Sequence, residues 1–139
     1  MKHVTRSMIV LFVLAGFLLS ACGGNIPVTG QSVAPSKLEP IEGSDLQRVI
    51  LTEKAAERIG VETVSVSGSE VPYQAVIYDI EGNTWIYTMP EPLTFVREQI
   101  VIDHIEGDQA ILSESLSSEF NVVTVGVAEI YGTETGVSK

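Results

Sequence analysis

The chain has 139 residues, with 8 Lys and Arg against 18 Asp and Glu, and a single cysteine. So acidic a surface disfavours nucleic acid and anionic lipid headgroups, both of which need clustered Lys and Arg. One cysteine excludes an internal disulfide and a dithiol redox pair, and its lipidation would leave no thiol for a metal site.

Lys2, His3 and Arg6 precede a 12-residue apolar run from Met8 to Leu19. That run falls short of the roughly 20 apolar residues that span a bilayer, so it reads as the core of a secretory signal. Leu19-Ser20-Ala21-Cys22 then reads as a bacterial lipobox, a small-residue cleavage site before a cysteine that takes lipid. The expectation is a signal peptide over 1–21 and a mature chain held to a membrane outside the cytoplasm by lipidated Cys22. Whether that membrane is the inner or the outer one stays open. Removal of 21 residues leaves 139 − 21 = 118, and loss of Lys2 and Arg6 leaves 6 basic residues against 18 acidic ones, a net charge of −12.

Residues 22–46 read as a tether rich in Gly and Pro (Gly23, Gly24, Gly30, Gly43, Pro27, Pro35, Pro40) with no sustained apolar period. As a flexible coil it would span about 27 Å root-mean-square. That clears a domain of about 12 Å radius of gyration from a membrane surface. A single domain is expected over 47–139.

Within it, Val49 to Leu51 is a short strand. Thr52 offers an N-cap, Glu53 complements the helix dipole, Ala55, Ala56 and Ile59 share a face, and Gly60 suits the left-handed residue that ends a helix. Val61 to Val66 is the next strand, and Ser67 to Glu70 is a break. Pro72 argues against a central strand there, and Ala75 to Tyr78 follow as a strand. Asp79 to Asn83 form a hairpin loop leading to Trp85–Thr88, with Trp85 and Tyr87 on one face. Met89 to Pro92, with two prolines, reads as a stiff loop. The stretch from Leu93 to Ile105 is long for one strand and predicts a bulge or bend near Glu98 and Gln99. Strands follow at Gln109–Leu112 and Val122–Val125, then Gly126 and a short turn or helix at Ala128–Tyr131. The fold class is mainly β: a small barrel-like or sandwich-like domain with one or two short helices.

Little here points to catalysis. His104 is the one histidine after the lipobox, and it neighbours Asp103. Adjacent strand residues face opposite ways, so Asp103 is poorly placed to orient His104, and no nucleophile elbow is present. No enzyme activity, cofactor or metal is expected. Asp79, Glu81 and Asn83 alternate like oxygen ligands, but the loop is too short for a calcium-binding loop and reads as a polar turn. Trp85, Tyr87 and Tyr73, with Tyr78, could form an aromatic contact face, though strand aromatics more often pack inside.

Longer segments carry a resemblance. VILTEKAAERIGVETVSV from Val49 to Val66, then Val71 to Val76, Gly82, Trp85-Ile86-Tyr87, Val101, Leu116, Val122-Val123 and Gly126 are in similar order and spacing in another family. In these it resembles the membrane-proximal domain of periplasmic adaptor subunits (membrane fusion proteins) of resistance-nodulation-division efflux pumps. In that family a helical hairpin, a lipoyl-like domain and a β-barrel lie between the two segments, where this chain has only Ser67 to Glu70. The family's Gly-Leu-x-x-Gly-Asp turn is altered too, with Ser115, Glu119 and Phe120 in its place and Leu116 kept. The resemblance implies a membrane-proximal domain without the outward-reaching arm. It suggests a lipid-anchored accessory or binding module beside an efflux or transport complex, with a transporter or envelope protein as partner. A stand-alone ligand-binding or sensing lipoprotein is the alternative.

Overall fold

The computed structural model describes residues 33–116 and 118–136. The signal segment, the lipidation candidate Cys22 and residues 23–32 lie outside the described residues. The folded unit starts at Ala34, so the domain reaches well upstream of the expected boundary at residue 47.

The correction at its start is a strand. β1 (Ser36–Pro40) pairs antiparallel with β2 (Gln47–Leu51), Leu38 opposite Val49 and Glu39 opposite Arg48. Of the prolines that argued for a tether, Pro40 lies within β1 and is tolerated because β1 is an edge strand, where a missing N–H breaks no ladder. The Pro35 carbonyl ties this edge down by accepting the Thr52 backbone N–H at 3.0 Å.

Helix α1 (Glu53–Ile59) forms where local signals place it. The Thr52 hydroxyl accepts the Ala55 N–H at 3.2 Å. At the other end Gly60 is left-handed, and the Gly60 and Val61 N–H groups both reach the Ala56 carbonyl. After β3 (Glu62–Val66) a turn at Ser67–Ser69 leads straight into β4 (Glu70–Pro72). A single 3₁₀ turn, Tyr73–Ala75, replaces the first half of the strand expected at Ala75–Tyr78, leaving β5 as Ile77–Tyr78 alone.

β6 (Thr84–Glu91) runs through Met89 and Pro90, which were expected to lie in a loop. A register shift between Thr88 and Glu91 lets the proline sit where no N–H is needed. The reversal falls at Pro92 and Leu93, and Leu93 takes a positive φ of 61°. The long stretch that follows breaks at Val101, after the expected bend at Glu98–Gln99. β7 (Thr94–Ile100) ends there, and β8 (Ile102–Glu106) crosses into a second sheet. β9 (Gln109–Leu112), β10 (Phe120–Val125) and helix α2 (Val127–Thr135) complete the chain, α2 extending beyond the turn expected at Ala128–Tyr131.

The domain is mainly β with two short helices. One antiparallel sheet runs β1-β2-β7-β6-β10-β3, with β5 on β6, and a second runs β4-β9-β8. Neither closes on itself, so of the barrel-like and sandwich-like alternatives the layered one describes it. The large sheet is apolar on both faces. Val49, Leu51, Tyr87, Phe95 and Val123 pack against Ala55 and Ala56 of α1 and Ile130 of α2. Ile86, Ile100, Val122 and Val66 pack against Val71, Ala110 and Leu112 of the small sheet. Each such side chain contributes about 1.5–3 kcal/mol when fully buried.

Candidate functional site

Two features stand out around the β5–β6 hairpin, one buried and one exposed. The buried one lies between the large sheet and α2. Tyr87 and Arg97 face each other across β6 and β7. The Tyr87 hydroxyl donates to Glu134 Oε2, and Arg97 Nε lies 3.4 Å from the same oxygen. That approach is an ion-pair distance without hydrogen-bond alignment, so the Arg97 Nε–H has no hydrogen-bond partner. The Arg97 guanidinium instead lies over the Trp85 ring at 4.5 Å and the Tyr131 ring at 5.5 Å, both within cation–π range. The side chains of Arg97 and Glu134 are 13% and 4% exposed. Burial, and then the Glu134 carboxylate, push the Tyr87 hydroxyl well above the usual tyrosine range.

This placement corrects the aromatic contact face. Tyr87 is 0% exposed and is a core residue, because α2 covers the face it shares with Trp85. Trp85 is half-buried, with its ring under Arg97 and its indole N–H donated to Asp79 Oδ2 at 3.0 Å. Tyr73 is exposed.

The turn beside Trp85 is built on Asp79. Its Oδ1 accepts the backbone N–H groups of Glu81 and Asn83 at 2.9 and 2.8 Å. Its Oδ2 accepts the Asn83 side-chain amide at 2.9 Å as well as the indole. These donors, the Asn83 side chain foremost and then the indole and the two backbone N–H groups, hold the Asp79 carboxyl down at about 2. Both oxygens are taken by N–H donors, which leaves the alternating Asp79, Glu81 and Asn83 a hydrogen-bonded turn. Among the described residues no group of three His, Cys, Asp or Glu is placed to hold a metal ion.

The exposed feature sits on the outside of this turn. Ile80, at its apex, is 100% exposed. Beside it a cleft of about 510 Å³ is lined by Tyr78, Gly82, Asn83 and Thr84 together with Gln99 to Ile105. Val101 (63% exposed) and Ile105 present apolar surface there, and Tyr73 lies against Tyr78, whose hydroxyl it pushes up by hydrogen bonding, with burial second. A monomeric domain usually avoids gathering such residues, and a rimmed apolar patch marks a contact surface. Ile80, Val101 and Ile105 had no motif to announce them; the one signal was an isoleucine between two acidic residues in a turn.

Asp103 and His104 lie in the same cleft, where His104 Nδ1 meets Asp103 Oδ2 at 2.9 Å. Strand alternation would keep them apart. The register shift between Ile102 and His104 in the β8–β9 pairing breaks that alternation and brings them together. Both side chains are exposed. No described helix is long and apolar enough to cross a membrane. No family model, curated protein or solved structure matches the chain.

Proposed function

We propose that this protein is a lipid-anchored, extracytoplasmic binding module that serves as an accessory to an efflux or transport complex and has no chemistry of its own. The lipobox ending at Cys22 gives the anchor, and the segmental resemblance to membrane-proximal adaptor domains gives the setting. The observation that carries the binding role is the exposed apolar group of Tyr78, Val101 and Ile105 in one cleft, with exposed Ile80 in the turn that follows Tyr78.

The new start of the domain favours a short leash. From Cys22 to Ala34 there are 34 − 22 = 12 residue steps, against 46 − 22 = 24 to the end of the expected tether. Twelve steps reach at most about 40 Å in any conformation. The domain therefore works close to the membrane, where a transporter subunit would meet it.

The test uses the full chain in native membranes. Cys22→Ala should release it from the membrane fraction, and unchanged retention would refute lipidation. A photocrosslinker at Ile80 should form an adduct with a transporter or envelope protein that a crosslinker at Lys54 on α1 does not form. The absence of any such adduct would refute the accessory role.

A further inference from the structure

The cleft has a backbone wall. In the small sheet β8 pairs only with β9, so its other edge presents unpaired N–H and C=O groups among the described residues. Residues Ile100 to Ile105 also line the cleft, together with Tyr78, Gly82, Asn83 and Thr84. An open strand edge is a template for another strand, which would lie about 4.8 Å away. β8 is five residues long, enough to pair an added segment over about 17 Å. Such a segment would place alternate side chains against Tyr78, Val101 and Ile105.

Charge selects the segment. Between Val71 and Gly136 there are 11 carboxylates and, besides His104 beside Asp103, a single Lys or Arg, Arg97, which is buried against Glu134 and Trp85. The remaining described cations, Lys37, Arg48, Lys54 and Arg58, belong to β1, β2 and α1. Asp103 lines the cleft, and Glu81 and Glu106 flank it with exposed carboxylates. A second copy of this chain would bring the same charge to the same place and is disfavoured.

We infer that the open edge of β8 accepts an extended, cationic segment of a partner protein by strand addition, with its apolar residues on Tyr78, Val101 and Ile105. The inference rests on the binding-module reading and specifies the partner's chemistry. Backbone pairing supplies the affinity, the apolar residues set the register, and Lys or Arg at alternate positions meet the acidic rim.

The probe is a synthetic octapeptide of alternating Lys and Val, added to the full chain in detergent. Residue-resolved amide exchange should show protection of those amides within 102–106 that do not pair with β9 rising about tenfold at saturating peptide, with binding weakened about fivefold or more in high salt. The Glu-Val counterpart should not bind. The same Lys-Val peptide N-methylated at every residue should not bind either, because it has no N–H to give to the edge. Val101→Ser, at an exposed position that leaves the core intact, should weaken binding about tenfold. Equal binding of the acidic and basic peptides, binding by the N-methylated one, or protection outside 102–106 would overturn the inference. Peptide-independent protection of 102–106 that grows with protein concentration would assign the edge to a second copy and also overturn it. A positive Ile80 crosslink with no protection of β8 would leave the binding module standing and remove strand addition.

Discussion

The buried pair under α2 gives an asymmetric prediction. Replacing one member of a buried ion pair costs about 3–5 kcal/mol when the other charge is stranded. Arg97→Met strands Glu134, whose side chain is 4% exposed and keeps only the Tyr87 hydroxyl and a 3.4 Å contact from the Gln47 N–H. The full penalty of about 4 kcal/mol is expected there, and the cation–π contacts to Trp85 and Tyr131 are lost as well. Glu134→Gln strands Arg97 less severely, because those two rings still face the guanidinium and the new amide oxygen can accept from Tyr87. A loss of about 2 kcal/mol is expected. The double variant should recover about 1–3 kcal/mol relative to the sum of the singles. Urea denaturation followed by circular dichroism and by the fluorescence of Trp85, the single tryptophan, measures all three. Additive singles, or Glu134→Gln costing as much as Arg97→Met, would refute the account of the rings as a second partner for Arg97.

Gly126 has φ of 87°, and a Cβ there would lie 2.6 Å from Ile59 Cγ2 of α1. Gly126→Ala should therefore lose about 2–4 kcal/mol by thermal melting, while Gly107→Ala, also at positive φ but with nothing within 4 Å, should lose about 1 kcal/mol. Tyr87 keeps its proton in the folded chain well above pH 10, whereas the unfolded chain loses it near 10. Stability is full below pH 10 and should fall by about 1.4 kcal/mol per pH unit above it, a slope that Tyr87→Phe abolishes in alkaline denaturation. For Asp79 the sign is opposite: its contribution is present above about pH 4 and is lost as pH falls through about 2. The Trp85 indole N–H resonance should shift with that lower midpoint, and a midpoint near 4 would rule out the turn as drawn.

Local signals proved legible and context did not. α1 was readable because Thr52, Glu53 and Gly60 act within one turn of the helix ends. β1 and the end of β6 were missed because Pro40 and Pro90 speak against strands in general, while edges and bulges, which depend on neighbours, accept them. α2 ran past its expected end because Gly132 and two threonines weaken its propensity, while Ile130 and Glu134 fasten it to the sheet. The same dependence on context separated Tyr87 from Trp85. Their shared face was readable from the two-residue period, but which of them α2 buries was not. Asp103 and His104 came together only through a bulge that no single-strand pattern announces. The lipobox lies outside the described residues and rests on sequence alone.

In the proposed binding module the hairpin acts through its turn and not through its aromatic rings. Trp85 is not a platform waiting for a ligand, since its ring is covered by Arg97 and its indole N–H is held by Asp79. Yet Asp79 is also the residue whose carboxylate accepts from Glu81 and Asn83 and so fixes the turn that carries Ile80 into solvent. A continuous set of contacts runs from Glu134 through Arg97 and Trp85 to Asp79, and from there to the exposed apex. A turn fixed in this way loses little entropy when a partner closes over Ile80, which is what preorganisation contributes to binding. Asp79→Ala should accordingly weaken crosslinking at Ile80 while leaving the core folded, because Asp79 belongs to neither core cluster. If crosslinking at Ile80 survives unchanged when the turn is loosened, the buried network serves stability alone and the apex needs no support from it.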